Sequence, residues 1–166
     1  FGWHWQNMIG TTPQQNDQSD NWVSFWRDQR LGFQFHLAAA NGYQGRLLAQ
    51  GDRLLDRLPV FFDEHSPLPS LLHGDLWIGN FAAGPAGEPV VYDPAVYFGD
   101  READLAMTEL FGGFAEPFYD GYREAWPLEP GYEERGEVYN LFHLINHLTH
   151  GPGYRAPVER TLRRFA

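Results

Sequence analysis

The chain has 166 residues, 43% of them hydrophobic and 16% aromatic, enough for one domain with a packed core. Twelve basic against twenty-two acidic residues give a formal charge of -10, which repels polyanions, so nucleic acid and anionic membrane are not expected partners. The chain has no Cys, which excludes disulfides, thiolate metal sites and thiol nucleophiles and fits a reducing, cytoplasmic setting.

All twelve basic residues are Arg, so chemistry that needs a lysine must draw it from elsewhere. Apolar runs stay far below membrane-spanning length. The opening FGWHWQNMIGTTPQ shows neither a helix start signal nor a strand alternation and, beginning at Phe1, reads as the middle of a longer protein. The polar run over 13–20 reads as a loop leading to a helix capped by Asp20.

From Trp22 to about Ala40, Trp22, Val23, Trp26, Phe33 and Leu37 approximate helical spacing, with Gly32 weakening the middle. A second helix is expected over about Tyr43 to Arg57, ended or kinked by Pro59. The segment NFAAGPAGEPVVYDP reads as a β-hairpin around a Gly/Pro/Glu turn, with PVVYD returning. Asp100 is placed to cap a helix over READLAMTELFGGF that ends at Gly112 and Gly113, and FAEPFYDGYREAW reads as a further helical piece. Tyr132 to His150 and the Pro157-initiated APVERTLRRFA complete a mostly helical chain with one small hairpin.

Between the second helix and the hairpin lies LLHGDLWIGN, residues 71 to 80, expected on a loop. His73-Gly74-Asp75, Asn80 five residues after Asp75, and Asp93 at the end of an apolar strand form a three-part constellation. Phosphoryl transfer needs a carboxylate facing the nucleophilic hydroxyl and hard oxygen ligands for magnesium at the nucleotide phosphates. Asp75 suits the first task, and Asn80 with Asp93 the second. The alternative is a tight turn in which Asp75 bonds the backbone and Asn80 caps a strand; the order Asp, Asn, hairpin, strand, Asp favours catalysis.

LLHGDLWIGN, PVVYDPAVYFGDREADLAMTELFGGF and LFHLINHLTHGPGY, with NMIGTTPQ near the start, resemble the fructosamine kinase (ketosamine kinase) family, relatives of aminoglycoside and choline kinases with a protein-kinase-like fold. The resemblance implies ATP- and Mg2+-dependent phosphorylation of a sugar hydroxyl on a small-molecule or protein-bound ketosamine. By similarity Asp75 is the base, Asn80 and Asp93 the magnesium ligands, and Asp104 a carboxylate bracing the catalytic loop beside His73. A first-turn acid favoured by the helix dipole is the other reading of Asp104.

Asp93-Pro94-Ala95 stands where protein kinases carry Asp-Phe-Gly, so no aromatic switch is expected there. With no Lys and no Gly-x-Gly-x-x-Gly, the chain resembles the C-terminal lobe alone, residues 1–20 connecting to an N-terminal nucleotide-binding lobe of the same protein. The isolated chain is therefore expected to be inactive. A related small-molecule kinase and a non-catalytic ligand-binding lobe are the competing readings.

Two further signals are weaker. His143, His147 and His150 fall at i, i+4 and i+7, nearly opposite the stripe Val138, Leu141, Phe142, Ile145 and Leu148, a spacing zinc accepts but a second packing face or a solvated face also explains. Of six Trp, most read as core, and Trp77, two residues past Asp75, is the one expected to contact substrate.

Overall fold

The computed structural model describes residues 1–166. Its first twenty residues depart from the featureless reading: Asn7–Ile9 (β1) pairs antiparallel with Thr12–Gln14 (β2), Ile9 opposite Thr12. Gly10, at φ +57, turns the chain between them. Ile9, Thr12 and Gln14 point inward while Met8 and Pro13 are exposed. Two of the three inward positions are polar, and that hides the alternation in the sequence.

Asn21, not Asp20, caps the first helix, its Oδ1 accepting the Ser24 N–H at 2.8 Å. Trp22–Phe25 (α1), a π-helical stretch Trp26–Gly32 and Phe33–Ala40 (α2) then follow without interruption. Gly32 permits the widened turn: a Cβ there would lie 2.6 Å from the Arg27 carbonyl oxygen. Arg46–Arg57 (α3) starts later than expected because Gly45, at φ +67, breaks the helix before it. Pro59 lies in the 3-10 turn Leu58–Phe62 that ends α3.

Ser70–Leu72 (β3), Phe81–Ala83 (β4), Pro89–Val91 (β5) and Tyr97–Gly99 (β6) form two more sheets. The β4–β5 pair is the expected hairpin, and β3 joins β6 antiparallel across the intervening loop. Three two-stranded antiparallel sheets thus replace the single hairpin expected, and LLHGDLWIGN begins as a strand before it becomes a loop. The remaining helices are Arg101–Leu110 (α4), Glu116–Ala125 (α5), Tyr132–His150 (α6) and Arg155–Phe165 (α7). Asp100 caps α4 through the Glu102 N–H at 3.0 Å, and Gly112 and Gly113 turn the chain after it at φ +100 and +77.

Helix α6 is the axis of the core, packing on α2, α4 and α7. Its predicted stripe, Val138, Leu141, Phe142, Ile145 and Leu148, is buried, and Tyr139 meets Trp26 edge-on at 4.9 Å. The Tyr139 hydroxyl donates to Asp100 Oδ2 at 2.6 Å and accepts from Trp22 Nε1 at 3.0 Å. His65 lies with Nε2 2.6 Å from Asp100 Oδ2 and Nδ1 2.5 Å from Glu129 Oε2, while Arg135 grips both oxygens of Glu102 at 2.7 and 2.9 Å. These bonds fix the start of α4, one turn before Asp104. No helix is long and apolar enough to cross a membrane.

Candidate active site

After β3 the chain turns sharply at Gly74, which sits at φ +82 with its Cα against the chain at Ala95. A Cβ there would lie 2.1 Å from the Ala95 carbonyl oxygen, so only glycine permits the His73-Gly74-Asp75 turn to close on the Asp93-Pro94-Ala95 turn. The Ala95 N–H donates back to the His73 carbonyl at 2.7 Å. From the first turn of α4, the half-buried Asp104 carboxylate accepts the N–H groups of His73 at 2.7 Å and Gly74 at 2.8 Å. Burial raises the Asp104 pKa even against those two donors.

His73 joins the same two turns. Its Nδ1 accepts the Asp75 N–H at 3.3 Å and its Nε2 donates to the Tyr92 carbonyl at 3.0 Å, a pairing that assigns the proton to Nε2. Asp75 is held from the far side of the loop, where Asn80 Nδ2 donates to its carbonyl at 2.8 Å and its Oδ2 at 3.2 Å. Burial pushes the Asp75 pKa up; the Asn80 hydrogen bond and His73 pull it back, and the Asp93 carboxylate adds to the rise.

Asp93 occupies left-handed backbone at φ +55 and is exposed. A non-glycine residue held in that region costs about 1–3 kcal/mol and is concentrated at functional sites.

Asp75, Trp77, Asn80 and Asp93 line one cavity of about 610 Å³; His73 and Asp104 do not line it and are bonded to one another at the start of the loop that does. Asn80 Nδ2 is committed to Asp75, while neither Asn80 Oδ1 nor the Asp93 carboxylate accepts a hydrogen bond from the protein. An amide oxygen and a carboxylate on one cavity wall are hard oxygen donors, a set that suits magnesium.

The cavity also has an aromatic wall that sequence reading did not assemble. Trp77 meets Phe111 edge-on at 5.7 Å, Phe111 meets His147 at 5.3 Å, and His147 stacks on Tyr154 at 4.8 Å. Helical spacing singled out His147, but nothing local marks Phe111 or Tyr154. The three histidines of α6 serve different neighbours: His143 Nδ1 is buried 3.9 Å from Asp75 Oδ1, and His150 Nε2 lies 3.2 Å from Thr12 Oγ1. Burial, with His147 and Arg30 adding to it, pushes the His143 pKa down to about 3, so the ring beside Asp75 is neutral.

Mostly helical with small antiparallel sheets, the fold resembles that of solved structures named as fructosamine-3-kinases. A solved structure from Thermobifida fusca, provisionally named a fructosamine-3-kinase, superposes with a TM-score of 0.90 at 34% identity, over 98% of this chain and 57% of that one. A structure of similar provisional name from Haemophilus somnus gives 0.88 at 31% identity, over 99% and 56%.

The chain belongs to the fructosamine kinase family, whose model matches residues 1–166. A "Probable ketoamine kinase" of Synechocystis sp. is 44% identical over 99% of this chain and 55% of its own length. The chloroplastic "Protein-ribulosamine 3-kinase" of Arabidopsis thaliana is 41% identical over 94% and 48%. The chain spans about half the length of the curated relatives it matches.

Proposed function

We propose that this chain carries the catalytic half of an ATP-dependent ketosamine kinase, which transfers the γ-phosphoryl group to a sugar hydroxyl of a fructosamine or ribulosamine. The observation that carries the reading is the convergence of Asp75, Asn80 and Asp93 on one cavity, on a chain whose family and relatives are of that kind.

In this reading the Asp75 carboxylate accepts the proton of the attacking hydroxyl as the new oxygen–phosphorus bond forms. Asn80 orients Asp75 through its amide N–H and offers its Oδ1 to magnesium together with Asp93. Magnesium, when bound, neutralises charge on the phosphates. Asp104 keeps the loop in place through two backbone N–H groups, His73 ties that loop to the strand before Asp93, and Trp77 supplies an apolar face for the sugar. The neutral His143 adds no positive charge that would stabilise the Asp75 anion and weaken it as a base.

The family relationship to aminoglycoside and choline kinases keeps a different hydroxyl-bearing substrate as the second reading; the ketoamine and ribulosamine names of the relatives favour ketosamines. A lobe that merely binds has no use for a complete set of base and metal oxygens.

We further propose that residues 1–166 do not bind ATP competently alone, residues 1–20 leading from a nucleotide-binding lobe. The absence of any Lys to clamp the phosphates supports this, as does the half-length match. A cytoplasmic setting, compatible with a chain lacking Cys, completes the proposal.

The test incubates the full-length protein and the 166-residue chain with ATP, magnesium and a panel of fructosamine, ribulosamine, aminoglycoside and choline substrates, reading phosphoryl gain by mass spectrometry. Ketosamine phosphate from the full-length protein alone is the expected result. Product from the isolated chain overturns the division of labour, and preference for another substrate class overturns the ketosamine assignment.

A further inference from the structure

A run of buried and half-buried side-chain amides lies between hairpin β1–β2 and the Asp93 turn, and nothing in the transfer chemistry uses it. Gln14, 2% exposed, donates from Nε2 to the Ala95 carbonyl at 2.9 Å and to Asn7 Oδ1 at 3.0 Å. Asn7 Nδ2 donates to the Val96 carbonyl at 2.8 Å. Asn16 donates to the same Asn7 Oδ1 at 2.8 Å, and its own Oδ1 accepts from Arg30 Nη2 at 2.9 Å. Arg30 is fully buried, its guanidinium 4.1 Å from the Tyr97 ring centroid and 4.6 Å from that of Phe25. The hairpin therefore grips the two carbonyls that follow Asp93-Pro94, and the helical core anchors the grip.

Residues 89–94 are exposed at every position, so upstream of Asp93 the chain is held by hydrogen bonds rather than packing: the Tyr92 N–H donates to the Asn80 carbonyl at 3.1 Å, its carbonyl accepts from His73 at 3.0 Å and its hydroxyl donates to the Gly79 carbonyl at 2.7 Å. The buried restraint lies downstream, where Ala95 is buried and bonded at both ends, its N–H to His73 and its C=O to Gln14. Losing the Gln14 donor strands a buried carbonyl, a loss relieved by moving the turn.

We infer that Gln14 is a positioning residue for Asp93: its buried amide locks Ala95 and so sets where the Asp93 carboxylate stands in the cavity. The inference rests on the reading of Asp93 as a metal-holding carboxylate.

The test uses full-length protein and Gln14→Met, which keeps length and removes the donor. Mn2+ titration by electron paramagnetic resonance, in the presence of a non-hydrolysable ATP analogue, should show a dissociation constant raised about tenfold or more. The kcat should fall by a similar factor while the KM for a fructosamine stays within about twofold. Native-state hydrogen exchange of the natural protein supplies an arm that needs no variant: the Ala95 amide should open together with those of β1–β2.

Unchanged Mn2+ affinity in Gln14→Met, or Ala95 exchanging while the hairpin stays protected, overturns the inference. Should Gln14→Met not fold, the exchange arm alone decides. A natural protein that phosphorylates no ketosamine defeats the functional reading instead, and one that binds no Mn2+ defeats the metal reading of Asp93; the exchange result stands apart from both.

Discussion

Asn80 Nδ2 donates to both the main-chain carbonyl and the carboxylate of Asp75, at 2.8 and 3.2 Å, so the residue read as metal ligand also orients the residue read as base. That hydrogen bond favours the charged form of Asp75, opposing the burial that raises its pKa. Asn80→Ala should therefore raise the Asp75 pKa further and move the acid limb of the kcat/KM profile to higher pH. A limb that stays in place in stopped-time assays across the acid range contradicts the coupling.

The contact of Gly74 with Ala95 separates backbone strain from collision. Gly74→Ala meets both, with φ at +82 and a carbonyl oxygen 2.1 Å from the new Cβ, and should lose at least ~2 kcal/mol in urea unfolding together with nearly all turnover. Gly10→Ala, at φ +57 with open space around it, should lose only about 1 kcal/mol. Equal losses at the two sites would show that the closure of the two turns contributes nothing.

His65 gives stability a pH dependence. Burial alone would lower its pKa, but the hydrogen bonds to Asp100 and Glu129, with Glu102 nearby, outweigh it and raise it above 6.5. The folded state thus binds the proton more tightly than the unfolded chain, so this stabilisation is complete below about pH 6.5 and is lost as pH rises through the folded value. The stability difference between the natural protein and His65→Gln, measured by denaturant titration, should be larger at low pH and shrink on the alkaline side. A difference that grows with pH contradicts the assignment.

Trp77 has a different expected signature. Trp77→Ala removes the ring that packs on Phe111 at one end of the aromatic wall, and should raise the KM for a fructosamine about tenfold, some 1.4 kcal/mol, with a smaller change in kcat. Steady-state kinetics decide the matter: an unchanged KM assigns Trp77 to packing alone.

What the sequence revealed followed local rules. The caps and glycines around α4, the β4–β5 turn and the period of α6 are all written in neighbouring residues, and each element formed where expected. Hairpin β1–β2 escaped because Thr12 and Gln14 occupy inward positions and are satisfied by distant partners, His150 and Ala95. The β3–β6 pairing escaped because the two strands are joined only through the whole active loop.

That Asp75, Asn80 and Asp93 would converge was legible in their order, Asn five residues after Asp and a second Asp at the end of the hairpin; the structure places all three on one cavity. Phe111, His147 and Tyr154 came together only through the packing of α4 and α6 and the chain that follows each.

The most direct measurement is the turnover of the full-length protein carrying Asp75→Asn, with a fructosamine, ATP and magnesium. Turnover should fall by about a hundredfold or more, while circular dichroism and the melting temperature match the natural protein. A folded Asp75→Asn protein that still turns over within an order of magnitude of the natural one would remove Asp75 from the role of base and contradict the account.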